Sequence, residues 1–250
     1  MLDLEISIVI PLKDEELNVE PLHDELTGVL VQLGVGYEII LIDDGSHDQT
    51  FAKLAAVQAR DPLVRVLRFT RNFGQTAAFA AGFAHARGRF IVTLDGDLQN
   101  DPADIPKLLA IARRHDIVCG WRKHRQDAFL TRRLPSEVAN ALLSLVSGVK
   151  LHDNGCSLKV FRAGVVKPLK LRPGMHRFLP ALASQLGGSV AEIAVHHRPR
   201  QHGASKYGLS RTFRVVADLV QLRALMRQAV DARTPVTQLY EIAEVLEATQ

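Results

Sequence analysis

The sequence predicts an α/β fold with a mainly parallel central sheet and helices on both of its faces. Three observations support this prediction. Over the first 120 residues, short apolar runs alternate with stretches of helical periodicity. The runs are almost continuously Val, Ile and Leu, as in strands that are buried on both faces. Several runs end in carboxylates, and open α/β sheets bind their ligands at the carboxyl ends of the strands.

The elements of the first half follow one another closely. Strands are expected at 6–10, 37–42, 64–69, 90–94 and 117–119, because each is a β-rich apolar run bounded by polar or turn residues. Helices are expected at 17–33, 49–60, 74–86 and 101–114. The last of these should begin with Asp101 as its N-cap and Pro102 at its first position.

After Gly120 the alternation fades. Helices are expected at 136–147 and 178–186, strands at 157–161 and 190–195, and a basic loop at 196–207. A helix from Leu209 would place Phe213, Val216 and Val220 on one face, and a short amphipathic helix should follow Thr234-Pro235 up to Leu246. The chain is therefore divided into a main domain, 1–208, and two C-terminal amphipathic helices within 209–250.

The composition is that of a globular domain. Apolar residues make up 47% and charged residues 23% of the 250 residues. The acidic N-terminus lacks the basic region of a signal peptide, and no stretch reaches the ~18–20 apolar residues of a membrane span. Cys119 and Cys156 lack metal-ligand spacing, which favours a reduced, cytoplasmic setting.

Charge is distributed unevenly along the chain. Residues 1–110 contain 9 Lys and Arg against 17 Asp and Glu, a net charge of −8, whereas residues 111–250 contain 22 against 10, a net of +12. The second half should therefore meet an anionic partner, such as a phosphorylated substrate or an anionic membrane surface. Nucleic acid is not expected, because aromatic residues are only 6% and are not interleaved with basic ones.

The acidic segment Asp95-Gly96-Asp97 directly follows the predicted strand 90–94. Two carboxylates at such a turn can converge on Mg²⁺ or Mn²⁺, which completes its shell with water and substrate phosphates. Taken alone, the segment is as consistent with a solvated turn or a helix cap. The sequence has neither G-x-G-x-x-G after the first strand nor a P-loop, so a nucleotide would not bind in the dehydrogenase or P-loop manner.

Six segments in this order resemble glycosyltransferase family 2, over about residues 5–215. Within that family, the chain is similar to the polyprenyl-phosphate (dolichyl- and undecaprenyl-phosphate) glycosyltransferases. The segments are Ile8-Val9-Ile10-Pro11 with Glu15 and Asn18, Asp43-Asp44-Gly45-Ser46 with Asp48 and Thr50, Arg71-Asn72-Phe73-Gly74-Gln75, Asp95-Gly96-Asp97-Leu98-Gln99, Asp153-Asn154-Gly155-Cys156-Ser157-Leu158-Lys159, and Arg200-Gln201-His202-Gly203-Ala204-Ser205-Lys206-Tyr207.

The resemblance implies a GT-A-type nucleotide-diphospho-sugar transferase fold and a role for each matching residue. The residues expected to bind the donor nucleotide are Pro11, Glu15, Asp43, Asp44 and Asp95. The residues expected to bind the metal, Mg²⁺ or Mn²⁺, are Asp95, Asp97 and Gln99. Those expected to bind the phosphates or the acceptor are Arg132, Ser136, Arg200, Ser205 and Lys206. Asp97, Arg122 and Asp153 are the expected catalytic residues.

The implied reaction moves a sugar, with inversion, from a UDP- or GDP-sugar to a polyprenyl phosphate. A phosphate is already anionic near neutral pH and needs no general base, which suits a site rich in Arg and Lys. An alternative is a soluble or polysaccharide hydroxyl acceptor, for which Asp153 is the candidate base. A third, less favoured reading is a non-catalytic nucleotide-sugar-binding protein. The segment 155–158 favours UDP.

The chain departs from its family in two respects. Gly96 stands where relatives usually have Ala, which should loosen the turn slightly without abolishing binding. Many bacterial relatives carry two transmembrane helices after the basic loop, and this sequence has an Arg-containing helix instead. We therefore expect a cytoplasmic protein whose C-terminal helices lie on the cytoplasmic membrane face; packing on the domain and homo-oligomer formation are the alternatives.

Overall fold

A computed structural model describes residues 4–123, 144, 148–199, 229, 231 and 238–247. Within these residues the strands form one eight-stranded sheet, in the order β7-β5-β6-β4-β1-β2-β3-β8. The strands are β1 (Leu4–Leu12), β2 (Gly36–Asp43), β3 (Val64–Phe69), β4 (Phe90–Thr93), β5 (Ile117–Trp121), β6 (Lys159–Arg162), β7 (Val190–Ala194) and β8 (Ile242–Leu246).

Helices connect these strands along the chain. The α-helices of the described residues are α1 (Val19–Leu33), α2 (Thr50–Arg60), α3 (Gln75–His85), α4 (Ile105–Ala112), α5 (Ala163–Val166) and α6 (Leu179–Gln185). Short 3₁₀ turns at Pro102–Asp104 and Met175–Phe178 lead into α4 and α6. Asp101 caps the first of these turns by accepting a hydrogen bond from the backbone N–H of Ala103, as its predicted capping role requires.

The sheet is mixed but mostly parallel. The pairs β1–β2, β1–β4, β2–β3 and β5–β7 are parallel, whereas β6 runs antiparallel between β4 and β5, and β8 runs antiparallel beside β3. Each face of the sheet is covered by buried apolar side chains. Alanines and phenylalanines of α3 cover one face, and leucines of α1, α2 and α4 cover the other, which confirms the predicted layers.

The predicted helix after Thr234-Pro235 is wrong over its described C-terminal part. Residues Ile242–Leu246 form the strand β8, which pairs antiparallel with β3. The apolar spacing suits a helix, but β3 would otherwise present an unpaired edge, and pairing its N–H and C=O groups stabilises the extended form. The predicted boundary at residue 208 and the helix 209–220 lie outside the described residues, and the division into two domains stays a prediction.

Candidate functional site

The carboxyl ends of β1, β2 and β4 meet at one edge of the sheet. The parallel register places Leu12 beside Asp43 and Val9 beside Thr93. Because all three strands point the same way, Asp43 and the segment beginning at Asp95 lie at the same edge. The structure therefore brings together the two acidic segments that the sequence places 50 residues apart.

The loops after β1 and β2 are tied to each other. The backbone N–H of Glu15 donates to Thr50 Oγ1 at 2.8 Å, and that of Glu16 donates to Asp48 Oδ2 at 3.2 Å. The carboxylate of Glu15 accepts a hydrogen bond from Asn18 Nδ2 at 2.6 Å. Asp48 and Thr50 thus shape the turn, and Glu15 lies in a hydrogen-bonded double loop that can form one wall of a nucleoside pocket.

Asp43 and Asp44 are both buried, and their carboxylates hold backbone N–H groups. Asp43 Oδ1 accepts from Ser46 N at 3.0 Å. Asp44 Oδ1 accepts from Phe73 N at 2.7 Å, and Asp44 Oδ2 accepts from Gly74 N at 3.0 Å. Burial raises the pKa of Asp44, and these two N–H donors partly oppose that rise. Binding of the nucleoside by this pair stays a prediction, as it does for Pro11 at the end of β1.

The segment 71–75 bridges the two acidic clusters. It passes directly over Gly45, which has φ of 66° and where a Cβ would lie 2.4 Å from the carbonyl carbon of Arg71. At its far end, Gln75 Nε2 donates to Asp95 Oδ1 at 2.7 Å. In the sequence this segment is only part of the resemblance, and no local pattern in it predicts that it connects the ends of β2 and β4.

Asp95 and Asp97 occupy a tight turn. The backbone of Leu98 has φ of 60°, and Asp97 Oδ1 accepts from Gln99 N at 3.2 Å. Burial, and then repulsion from Asp97, raise the pKa of Asp95, which Arg122 and Lys159 partly offset. The two carboxylates repel each other, and a divalent cation that bound both would relieve this repulsion.

These residues fit the predicted Mg²⁺ or Mn²⁺ site as a partial oxygen shell. Among the described residues, no group of three or more His, Cys, Asp and Glu side chains could hold a metal. A pair of carboxylates suits an ion that keeps waters and takes substrate phosphates as its other ligands. Gln99 Nε2 donates to the carbonyl of Arg198 at 3.3 Å. This bond uses the amide nitrogen of Gln99, so its amide oxygen is a suitable further metal ligand.

Arg122 and Asp153 form a buried bidentate ion pair. Arg122 Nε lies 2.7 Å from Asp153 Oδ2, and Arg122 Nη2 lies 2.9 Å from Asp153 Oδ1. Asp153 in turn is fixed by Glu192, whose carboxylate accepts from Asp153 N at 3.0 Å. The hydrogen bonds and charge of Asp153 outweigh burial and raise the pKa of Arg122. Two of the three predicted catalytic residues are thus adjacent, and the guanidinium keeps its charge.

Lys159, for which no role was predicted, is a buried cation of this site. Its ammonium group donates to the backbone carbonyls of Asn154 and Cys156 and attracts the charge of Asp95. A lysine inside the apolar run 157–161 was the signal that could have found it, because a charge inside a buried strand needs partners.

The remaining predicted residues lie elsewhere or are not described. Arg132, Ser136, Arg200, Ser205 and Lys206 lie outside the described residues, so their predicted contacts with phosphate or acceptor stay predictions. The residues before Arg200 are described: Asn100 and His197 form an antiparallel bridge, which sets the start of the basic segment beside the Asp95–Gln99 turn.

A protein-family model described as glycosyl transferase family 2 matches residues 7–169, which is more than half of the chain. This match covers both acidic segments, Arg122 and Asp153. The chain belongs to glycosyl transferase family 2. Membership confirms the resemblance and the expectation of a glycosyltransferase.

Two curated relatives in this family are named for polyprenyl-phosphate chemistry. A dodecaprenyl-phosphate galacturonate synthase of Rhizobium johnstonii is 47% identical and aligns over 90% of this chain and 68% of its own length. An undecaprenyl-phosphate 4-deoxy-4-formamido-L-arabinose transferase of Shewanella sediminis is 41% identical, over 86% of this chain and 65% of its own. The chain spans about two thirds of the length of these relatives.

Solved structures share the fold. Glucosyl-3-phosphoglycerate synthase from Mycobacterium tuberculosis, in a complex with Mn²⁺, UDP and glucosyl-3-phosphoglycerate, superposes with a TM-score of 0.68 at 18% identity. That comparison covers 88% of this chain and 80% of the other. It confirms the GT-A-type architecture. Within the described residues, the helices are too short or too polar to cross a bilayer.

Proposed function

We propose that the chain is a metal-dependent, inverting glycosyltransferase that moves a sugar from a nucleoside diphosphate sugar to a polyprenyl phosphate. The observation that supports this most is the meeting of Asp43, Asp44, Asp95 and Asp97 at one sheet edge, beside Arg122. The names of the two relatives support a polyprenyl phosphate acceptor. UDP is the favoured nucleotide, and GDP is the alternative.

A divalent ion bound to Asp95 and Asp97 would neutralise charge on the departing nucleoside diphosphate. The protein's own residues orient the reactants around it. Gln75 holds Asp95 by one oxygen, and the turn at Leu98 holds Asp97, so both carboxylates are placed before the donor arrives. Such preorganisation lowers the barrier because no dipoles must reorganise during transfer.

Arg122 is the described cation best placed to meet a phosphate. Its charge interacts with Asp95, and Asp153 fixes its planar fork through two hydrogen bonds. A phosphate oxygen of the acceptor can attack the anomeric carbon directly, since it carries negative charge without help from a base. In this role Asp153 positions Arg122. The alternative, a hydroxyl acceptor, would require the same carboxylate to accept a proton.

The proposed location follows from the proposed acceptor. A polyprenyl phosphate is embedded in a bilayer, so the sheet edge with Arg122 and the basic segment 200–206 should face the cytoplasmic membrane surface. The net charge of +12 on residues 111–250 favours an anionic surface. Homo-oligomer formation is the less favoured alternative to this membrane contact.

The metal and donor steps are tested by calorimetry of UDP and GDP, with and without Mn²⁺ or Mg²⁺. We expect metal-dependent binding of one nucleotide that is lost, by tenfold or more, in Asp97→Asn, because the variant keeps the shape and removes one ligand charge. Asp24→Asn is the control, since Asp24 is an exposed carboxylate on α1. Equal binding by wild type and Asp97→Asn would contradict the metal role of this turn.

The acceptor is tested by transfer assays with radiolabelled UDP-sugars. One arm offers a polyprenyl phosphate in anionic vesicles, and the other a soluble sugar with free hydroxyls. Transfer to the lipid phosphate only is the expected result. Transfer to the hydroxyl acceptor, abolished in Asp153→Asn while UDP binding is kept, would instead establish the alternative reaction with Asp153 as base.

A further inference from the structure

The C-terminal strand lies against the element that ends next to the donor site. β8 pairs antiparallel with β3, and the pairing continues beyond both strands, where Thr70 N donates to the carbonyl of Glu241 at 3.1 Å. At the opposite end, Glu247 accepts from Arg65 Nε at 2.8 Å. The strand is therefore fixed at its two ends by separate contacts.

Tyr240, two residues before β8, extends this docking into an aromatic chain. Its ring stacks on the ring of Phe69 with centroids 5.3 Å apart and planes 8° apart. Phe69 in turn meets Phe73 edge to face, with centroids 5.7 Å apart. Phe69 is buried, and all three rings belong to the apolar cluster that packs on α3. These contacts connect the ring of Tyr240 to the ring of Phe73 through Phe69.

Phe73 is also the residue whose backbone holds Asp44. Its N–H donates to Asp44 Oδ1 at 2.7 Å, and the next N–H, of Gly74, donates to both carboxylate oxygens. Burial and the charge of Asp43 oppose the ionised form of Asp44, whereas these donors and the charge of Lys13 favour it. A displacement of the Phe73 backbone would therefore change both the direction and the charge of the Asp44 carboxylate.

We propose that Tyr240 is a positioning residue of the donor site, which acts through Phe69 and Phe73 on Asp44. The inference rests on the proposed function, in which Asp44 binds the donor nucleoside. It goes further by making the C-terminal strand part of the site's support. Tyr240 does not touch the nucleotide; its ring sets the backbone that orients the carboxylate.

The test compares three variants by calorimetry with UDP and GDP in the presence of Mn²⁺. Tyr240→Ala should weaken nucleotide binding by about 3- to 10-fold, the loss expected from one aromatic pair. Tyr240→Phe keeps the stacked ring and should bind as the wild type does. Glu247→Gln removes the charge of the contact at the other end of β8 without touching the rings, and it should also bind normally.

A pH series separates positioning from general loosening. In Tyr240→Ala the acidic limb of nucleotide binding should move to higher pH, because Asp44 loses hydrogen bonds that favour its charge. If Tyr240→Ala does not fold, as judged by circular dichroism, Tyr240→Leu keeps the apolar bulk and loses the ring, and takes its place.

The outcomes distinguish this inference from the proposed function. If the wild type binds neither UDP nor GDP with metal, the proposed function fails. If the wild type binds, Asp44→Asn weakens binding, and Tyr240→Ala binds normally, the inference alone is overturned. Equal losses in Tyr240→Phe or in Glu247→Gln would also overturn it, since the effect would then come from the hydroxyl group or from strand detachment.

Discussion

At the scale of single residues, Asp44 shows how burial and backbone donors set the charge of a proposed binding group. Burial raises its pKa above the ordinary ~3.9 of an aspartate, although Phe73, Gly74 and Lys13 oppose the rise. The ionised form is the one that can accept hydrogen bonds from a ribose or a base. The pH at which the nucleotide affinity begins to fall should therefore be higher than it would be with an exposed aspartate.

We expect UDP binding to weaken as the pH falls through this raised pKa, and Asp44→Asn to lose that part of the pH dependence. Calorimetry between pH 7.5 and pH 4.5 measures it. An acidic limb that persists in the variant belongs to Asp95, whose pKa is also raised by burial and by Asp97. A wild-type affinity that does not change over this range would contradict the assignment.

Stability should follow the opposite trend at Asp44. The folded state binds the proton of this carboxyl more tightly than the unfolded chain does, because its folded pKa is the higher one. The contribution of Asp44 to stability is therefore greatest when it is protonated, and it is lost as the pH rises through the window between the two pKa values. Binding thus uses a charge that the fold disfavours.

At the scale of elements, the turn after β4 is tighter than the sequence suggested. Gly96 was expected to loosen the turn, but the residue is buried against β1. A Cβ at Gly96 would lie 2.9 Å from Leu12 Cγ and 3.0 Å from Leu12 Cδ2. The glycine therefore allows the turn to approach Leu12 at the end of β1, which brings the ligand segments of two strands close together.

Gly96→Ala should consequently destabilise the protein by about 1–3 kcal/mol, the usual cost of overpacking a core. Urea denaturation of a double-mutant cycle with Leu12→Ala measures the origin of this cost. In the Leu12→Ala background, where the crowding atoms are absent, Gly96→Ala should cost much less. Equal costs in both backgrounds would show that crowding against Leu12 is not the cause.

The sequence predicted the first half of the fold well because its strands are continuous apolar runs. β3 was predicted at its observed bounds, and β1, β2 and α3 within two residues at each end. β8 was predicted as a helix, because its short amphipathic pattern suits either structure and only the free edge of β3 decides between them. The pairing of β6 between β4 and β5 likewise depends on long-range contacts that no local pattern contains.

The site was predicted in part for the same reason. Asp43, Asp44, Asp95 and Asp97 follow strands and could be placed at one edge from the topology alone. The roles of Gln75 and Glu192 could not, since each depends on a contact between segments far apart in the chain. Candidate functional side chains at strand ends can be predicted from the local sequence, whereas the residues that orient these side chains cannot.

At the scale of the whole molecule, the two edges of the sheet serve different purposes. The carboxyl edge collects carboxylates whose charges repel, which suits ligand binding. Toward the amino edge, Glu38 is a buried carboxylate with matched partners: Ser7 Oγ at 2.7 Å, Arg87 Nε at 3.0 Å and Arg65 Nη1 at 3.3 Å. Through Arg65 and Glu247, this network also reaches β8.

Glu38 should therefore contribute to stability rather than to activity. Burial alone would raise its pKa, but hydrogen bonds from Ser7 and Arg87 outweigh burial and lower it. Because the folded pKa is the lower one, the stabilisation is present at neutral pH and is lost as the pH falls below about 4.3, through the folded value. Acid should thus weaken the amino edge of the sheet and the attachment of β8 together.

Glu38→Gln should destabilise the fold by about 3 kcal/mol at neutral pH, because it leaves the charge of buried Arg65 without its interior partner. Urea denaturation gives the free energy of unfolding. Glu5→Gln is the matched control. Glu5 Oε1 lies 3.6 Å from Arg113 Nη2, and the Arg113 side chain is 68% exposed, so the loss of this ion pair should cost at most about 1 kcal/mol. At pH 3.5 the difference between Glu38→Gln and wild type should shrink, since the wild-type carboxyl begins to be protonated. A difference that is small at pH 7, or unchanged in acid, would show that Glu38 is not the charge that joins these strands.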